Sequence, residues 1–362
     1  MSRYREAAYW LAALNAEGVG RRVAKKAIHH WCVEQGRALS TLFTQEATEL
    51  AAQCPIDTQQ VARLLLAERD VPAKEKLLQE LQEDEKIGVV IPVDAAYPES
   101  LIQRLPEEWL PHFLFYRGDL SILTEPALAV VGAENPSSKA QDVTEALFER
   151  LAQEGYPIIS GYSSGIERRA VDTVRREGGA ATILLPMGIQ PFNGYVDEIR
   201  REPEASRLLV LSPYLPNAGY NETRARAREV LVAALSEATF LMAPDRSPRE
   251  WSWLERFQER GGRLFIWDDG GDIVDAWKKA DAVPFREVAE AMDLSRDLFG
   301  ATPGGADKVL EDEKLADMDP IEFIDADSAI EVLSQSGQVP DILAQRLRDA
   351  EWPEPQIHDD DF

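Results

Sequence analysis

The sequence predicts an α/β fold built around a mostly parallel sheet. Six continuous apolar runs alternate with stretches of helical periodicity, such as residues 138–155 and 221–237. Continuous apolar strands alternating with helices are typical of a sheet that helices cover on both faces. The order therefore predicts a Rossmann-like, doubly wound domain. The predicted strands are residues 127–132, 156–161, 181–186, 207–212, 238–243 and 263–268.

Helical periodicity also dominates residues 4–85, and prolines with short β-like runs mark 88–120 as a connection into the sheet. After residue 300 the chain is rich in glycine, proline and acidic residues, which is typical of a linker. We therefore expect four parts. They are a helical N-terminal domain (1–86), the Rossmann-like domain (87–285), an acidic linker (286–320) and a small helical C-terminal segment (321–362).

Residues 18–28, GVGRRVAKKAI, resemble a helix-hairpin-helix turn. The glycines allow a tight turn, and the helix restarts with basic side chains that suit a phosphate backbone. A solvated basic helix face is the alternative that the pattern leaves open. The candidate contacts are Gly18, Gly20, Arg21, Arg22, Lys25 and Lys26.

Charge opposes a general role in nucleic-acid binding. The 362 residues carry a net charge of −25, whereas nucleic-acid binders are usually basic. The last 62 residues hold 17 acidic and four basic side chains, a balance of −13. A basic groove elsewhere in the chain would have to work against this field.

Several classes of site and location are not predicted. The chain has no run of about 18 apolar residues, so no membrane span is expected. It also lacks the pattern of a signal peptide. Cys32 and Cys54 have no metal-ligand spacing and fit core packing in a reducing cytoplasm. We expect a cytoplasmic protein with no metal and no cofactor.

Three loops of small and polar residues follow predicted strands, at 132–138, 160–165 and 186–189. Ligands bind outside the carboxyl ends of strands in open α/β sheets, and helix N-termini there attract anions. The first loop lacks GxGxxG, so a dinucleotide site is not predicted. Turn formation and helix capping are the alternative role of the serines. The candidate anion-binding residues of the loops are Gly132, Ser137, Ser160, Gly161, Ser163 and Gly165.

Together these segments resemble the Smf/DprA family of DNA-processing proteins. The resemblance begins at Tyr97-Pro98 and covers about half the chain, to near residue 270. It runs through VVGAENPSS, IISGYSSGIERRAV, GGAATILLPMGI, LVLSP, RAREVLVAALSEATFLMAP and GGRLFIWDD.

The resemblance implies a Rossmann-like core without strong enzymatic chemistry. It also implies that the protein binds single-stranded DNA, helps to load a recombinase during transformation and forms a homodimer. The DNA backbone would lie over the Gly132 and Ser160–Gly165 loops.

The chain departs from the family pattern at several anion-contacting positions. Glu134 takes the place of the arginine in the family's G-x-R and would repel a phosphate. The other departures are Glu167 in the family's GID, Val171 for a histidine, Arg228-Glu229-Val230 for R-N-R, Met242 for a glutamate and Ser247-Pro248 for Ser-Gly. The cations that remain near the loops are Arg168, Arg169, Arg224, Arg226 and Arg228, which would otherwise form a solvated face.

An enzyme is the weaker hypothesis. The four histidines, His29, His30, His112 and His358, lie outside the Rossmann-like core, and no base is identifiable for Ser160 or Ser163. An acidic site for a nucleotide hydrolase or a metal would draw on Glu134, Glu167 and Asp172.

Three functions therefore stay open. The first is non-catalytic single-stranded DNA binding in processing, recombination or protection. The second is an antitoxin or regulatory subunit in a toxin–antitoxin or phage-defence system, acting through a protein partner such as a toxin. The third is a nucleotide-sensing module. A homodimer interface would use Trp251, Trp253 and Phe257, unless these pack a helix onto the sheet.

Overall fold

The sheet follows the predicted apolar runs and adds strands at both ends. The structure, a computed structural model, describes residues 4–54, 56–106, 109–201, 207–251, 254, 257–258 and 261–300. The strands are β1 (Gly88–Val90), β2 (Leu114–Gly118), β3 (Ala127–Gly132), β4 (Ile158–Ser160), β5 (Ala181–Leu184), β6 (Leu208–Ser212), β7 (Ser236–Met242), β8 (Arg263–Trp267) and β9 (Val283–Phe285). The predicted mostly parallel α/β fold is confirmed.

Helices precede the sheet and connect its strands. Those before the sheet are α1 (Arg5–Leu14), α2 (Arg21–Ile28), α3 (Leu39–Leu42), α4 (Ala47–Gln53), α5 (Thr58–Leu66) and α6 (Val71–Glu85). Those within or after it are α7 (Glu99–Arg104), α8 (Ser138–Gln153), α9 (Ile166–Arg176), α10 (Val196–Arg201), α11 (Glu222–Ala234), α12 (Asp272–Lys279) and α13 (Val288–Gly300).

The strand order is β1-β2-β6-β5-β4-β3-β7-β8-β9. The chain builds outward from β3 to β6, then returns to the other side of β3 with β7, so the order reverses between β3 and β7. A doubly wound sheet opens a crevice at such a point, outside the carboxyl ends of its strands. Gly132 lies there, opposite Met242 of β7.

The segment predicted as a connection, 88–120, extends the sheet instead. Strand β2 pairs antiparallel with β6, and β1 pairs antiparallel with β2. Because Phe115 lies opposite Ser212, the residues just before β2 lie at the carboxyl edge of β6. Short runs interrupted by prolines do not reveal this pairing, because they carry too little of the period-two alternation that marks a strand.

The core surrounds the strands, whose side chains are almost all buried. Trp251 packs there against Trp277 and Leu254, so this tryptophan fits the alternative in which the aromatics pack onto the sheet. Phe257 packs against the same cluster and is partly buried. Trp253 lies outside the described residues.

Part of the predicted acidic linker is a helix. Residues 288–300 form α13, which packs on α8, and Phe299 stacks on Tyr156 with ring centroids 5.0 Å apart. Arg296 pairs with Glu154 on the same contact. The rest of the predicted linker and the predicted segment 321–362 lie outside the described residues, and the division of the chain into four parts stays a prediction.

The N-terminal helices contact the sheet through buried groups. Arg117 of β2 is almost fully buried, and its guanidinium lies 3.8 Å from the Glu85 carboxylate at the end of α6. Cys32 and Cys54 are free and buried, as predicted for core packing. Burial raises the pKa of both thiols, which keeps them protonated.

Candidate functional site

The predicted loops meet at the carboxyl edge of the sheet. Helix α9 begins after Gly165, whose φ of +79° suits glycine. A Cβ at this position would lie 2.3 Å from the Glu134 carbonyl oxygen, because the loop after β3 packs directly against it. The Ile166 N–H donates to the Ala133 carbonyl over 3.1 Å. The first two loops therefore form one packed unit.

A buried carboxylate occupies the middle of the loop after β4. Glu167, in the first turn of α9, accepts hydrogen bonds on Oε2 from the Ser163 N–H (3.1 Å) and the Ser160 hydroxyl (3.3 Å). Backbone N–H groups at a helix N-terminus are the groups that bind a phosphate in such loops. Here the chain supplies the anion from its own side chain.

Arg228 completes this network. Its Nη1 lies 3.3 Å from the Glu167 carboxylate, and its Nη2 donates to the Ser163 hydroxyl over 3.3 Å. The two charged side chains are 5% and 8% exposed. A Cβ on Gly161 would lie 0.9 Å from Arg228 Nη1, so only glycine leaves room for the guanidinium. Arg228 thus neutralises Glu167 inside the protein.

The serines of the loops are engaged in turns and caps. The Ser137 hydroxyl accepts from the Ala140 N–H at the start of α8 (3.2 Å), and the Ser160 hydroxyl accepts from the Tyr162 N–H (3.1 Å). These contacts agree with the alternative role that the sequence left open. A part for either serine in anion binding stays a prediction.

The candidate arginines divide into inward and outward groups. Arg224 is buried like Arg228, donates to the Gly219 carbonyl and lies 5.1 Å from the centre of the Tyr214 ring. Arg168 and Arg226 are exposed. Arg169 is exposed and pairs with Glu145 at 3.3 Å. The helical spacing indicated arginines at the loops but could not show which side each one faces.

An aromatic cluster at the same edge escaped the sequence prediction. It consists of Tyr162, after β4, and of Phe192 and Tyr195, between β5 and α10. The Tyr162 ring lies 6.0 Å from Phe192 and 5.7 Å from Tyr195, between centroids. Asp172 accepts hydrogen bonds from both tyrosine hydroxyls. Only Tyr162, inside SGYSSG, gave a signal in the sequence, because the other two come together with it through the fold.

The hairpin turn is held by a contact between N-terminal helices. Helix α2 begins at Arg21 after Gly20, and Arg63 donates to the Gly18 carbonyl over 2.9 Å, which holds the turn. Burial, together with the nearby charge of Lys25, lowers the pKa of His112 to about 3. His112 precedes β2 at the carboxyl edge of β6, and the Trp10 ring of α1 lies 5.8 Å from the His112 ring, between centroids. Two of the predicted hairpin cations, Arg22 and Lys26, are exposed.

The predicted acidic site is not assembled. Glu167 is paired with Arg228, Asp172 binds two tyrosines and Glu134 is exposed. In the described part of the chain no three His, Cys, Asp or Glu side chains are grouped as metal ligands would be. No helix among the described residues has both the length and the apolar character needed to cross a membrane.

Known proteins resemble this chain over the segment that carries the site. Residues 88–247 match the family described as DNA recombination-mediator protein A. Protein Smf of Synechocystis is 24% identical over 247 residues, which cover 67% of this chain and 60% of that protein. DNA processing protein DprA of Streptococcus pneumoniae is 26% identical over 173 residues, covering 48% of this chain and 60% of that protein. The chain thus spans about three fifths of these two relatives.

A solved structure agrees with the fold. The structure of DprA from Streptococcus pneumoniae superposes with a TM-score of 0.59 at 21% identity, covering 79% of this chain and 97% of that chain. The family match includes the loops after β3, β4 and β5 together with helix α11. Residues 88–247 are therefore a divergent match to the Smf/DprA family.

Proposed function

We propose that this chain is a non-catalytic, cytoplasmic protein that binds single-stranded DNA in DNA processing or recombination. The observation that carries the proposal is the family match over residues 88–247, which contains all three loops of the carboxyl edge. Relatives that share this segment are DNA processing proteins. The whole activity, including recombinase loading and homodimer formation, is part of the same proposal.

The topology supports one continuous path for a strand. The antiparallel pairing of β2 with β6 brings residue 112 to the carboxyl edge, where the Trp10 ring of α1 lies against His112. Because α1 also contacts α2, the proposal extends the path of the strand from the loops to the basic hairpin. A strand crossing the loops would meet Arg168 and Arg226 first, then the hairpin cations Arg22 and Lys26.

The electrostatics of this path predict modest phosphate binding. The Glu167–Arg228 pair is internally neutral and offers no net charge to a ligand. With the four exposed cations Arg22, Lys26, Arg168 and Arg226 as phosphate contacts, log K would fall with log salt at a slope of about −3.

Fluorescence anisotropy with labelled single-stranded DNA across a salt series tests the proposal. We expect salt-sensitive binding that weakens in Arg168→Ala/Arg226→Ala and in Arg22→Ala/Lys26→Ala, each with a slope smaller by about 1.4. The matched control is Arg207→Ala/Arg263→Ala, which removes two arginines from the amino edge of the sheet. Equal loss in the control, or no binding at low salt, would contradict the proposal.

A protein partner is the second candidate function, because the loop after β4 already contains its own anion. Glu167 accepts the hydrogen bonds that a bound phosphate would otherwise take, and residues 301–362 add a charge of −13 that suits a basic partner. The chain would then act as an antitoxin or a regulatory subunit. Deleting residues 301–362 would abolish capture of that partner, and full capture by the shortened chain would exclude this role for the segment.

A further inference from the structure

The aromatic cluster of Tyr162, Phe192 and Tyr195 is more exposed to solvent than the aromatic rings of the core. Its three rings are half-buried, whereas the core phenylalanines Phe148 and Phe240 are fully buried. The cluster stands at the carboxyl ends of β4 and β5, where ligands bind in open α/β sheets. Aromatic surface left partly open at this position is suited to a ligand with a flat apolar face.

The backbone holds two of these rings in an uncommon conformation. Tyr162 has φ of +59° and Tyr195 has φ of +50°, values that bulky residues rarely adopt. Such conformations persist where the surrounding structure fixes them, and they concentrate at binding sites.

The Asp172 carboxylate holds the two side chains together by accepting a hydrogen bond from each phenol. Burial, followed by the Asp172 charge, raises the pKa of Tyr162 to about 12, so its hydroxyl stays protonated and keeps donating.

Arginines flank the rings. The Arg168 guanidinium lies 5.1 Å from the centre of the Tyr162 ring, and that of Arg175 lies 5.6 Å from the centre of the Tyr195 ring. In proteins that bind single-stranded nucleic acid, aromatic rings stack on the bases and neighbouring cations contact the phosphates. A ring beside an arginine has this arrangement. The Arg168 side chain is also exposed, so it remains within reach of solvent and of a ligand.

We infer that Tyr162, Phe192 and Tyr195 form a stacking platform for unpaired bases, with Arg168 beside it for the adjoining phosphate. The inference rests on the proposed binding of single-stranded DNA and names the contact that would carry it. Stacking needs no positive charge, because every base presents a π face. It therefore explains how a chain of charge −25, with Arg228 neutralised by Glu167, would hold a polyanion.

The test compares two labelled strands, oligo-dT and the same strand with abasic sites in place of its bases. The full chain should bind oligo-dT about five- to 150-fold more tightly than the abasic strand, the range for one stacked base. Phe192→Leu should lose most of this difference with an unchanged salt slope, and Phe192→Trp should keep it. Arg168→Ala should instead lower the slope by about 0.7.

Tyr156→Leu provides the matched control, since Tyr156 is half-buried, stacks on Phe299 and lies at the amino end of β4. Unfolding midpoints of all variants would show that each remains folded. Equal binding of both strands by the unaltered chain would overturn the platform while leaving phosphate-driven DNA binding intact. Failure to bind either strand at low salt would overturn the platform and the proposed function together.

Discussion

At the scale of the residue, Glu167 has an unusual position. Its carboxylate lies in the first turn of α9, where the helix dipole favours negative charge, and it accepts a hydrogen bond from the Ser163 N–H and receives the guanidinium of Arg228. Both side chains are buried, so neither can lose its partner without leaving an uncompensated charge. The pair fixes the loop after β4 against α11, and with it the backbone around Gly161 and Ser163.

Single substitutions in this pair should therefore destabilise the fold strongly. We expect Arg228→Met and Glu167→Gln each to lower the free energy of unfolding by about 3–5 kcal/mol. The double variant should lose much less than the sum, because it leaves neither charge alone. Chemical denaturation of the four proteins measures the coupling.

Arg226→Ala is the control for the pair, since this neighbour on α11 is exposed and its loss should change the stability by less than about 0.5 kcal/mol. Additive losses in the double variant would mean that the pair contributes nothing as a pair.

Sequence alone could indicate these residues but not their partners. The loop pattern pointed to Ser160, Ser163 and the arginines near β7, and their part in binding stays a prediction. It could not show that Arg228 turns inward to Glu167, because helical spacing places a side chain on a face without saying what covers that face. For the same reason Phe192 and Tyr195 were missed, as only the fold brings them to Tyr162.

At the scale of the element, the junction between β4 and α9 depends on close backbone contact. Gly165 has a positive φ and also lies against the Glu134 carbonyl oxygen. Gly178 has a nearly identical φ of +75° after the end of α9, but no atom lies within 4 Å of a Cβ built there. Substitution of Gly178 would therefore add backbone strain alone, whereas substitution of Gly165 would add both backbone strain and a steric clash.

Alanine at these two positions should give different losses. Gly178→Ala should cost about 1–2 kcal/mol of unfolding free energy, the strain of a left-handed backbone alone. Gly165→Ala should cost clearly more, because the first and second loops must also move apart. Thermal or urea unfolding measures both, and equal losses would mean that the loops separate freely.

The alternating pattern was sufficient to predict β3 to β8, since buried parallel strands read as continuous apolar runs. It was not sufficient for β1, β2, β9 and α13. The added strands are three to five residues long, so they carry little periodicity of their own. Helix α13 lies inside the segment predicted as a linker, and it is held by its packing on α8 and by the stacking of Phe299 on Tyr156.

At the scale of the whole molecule, charge is unevenly distributed. Residues 301–362 carry −13 of the net −25, and the first 300 residues carry the remaining −12. The described site offers only a few exposed cations, so the field of the C-terminal segment opposes a polyanion wherever that segment lies within a Debye length.

Removing residues 301–362 should strengthen binding to single-stranded DNA. We expect a gain of about tenfold at low salt that disappears at high salt, because screening removes the repulsion. Anisotropy titrations at several salt concentrations measure this. A segment of equal length with its acidic residues changed to Asn and Gln should behave like the deletion, and an unchanged affinity in both would contradict the electrostatic account.

The two outer strands of the described sheet affect the tendency of the protein to aggregate in concentrated solution. Strands β1 and β9 are three residues long, and Pro284 removes one N–H donor from β9. Edge strands that are short or contain proline offer few backbone hydrogen-bonding groups to which another polypeptide could add a strand. Fibril growth by strand addition would therefore have to wait until the sheet itself opened.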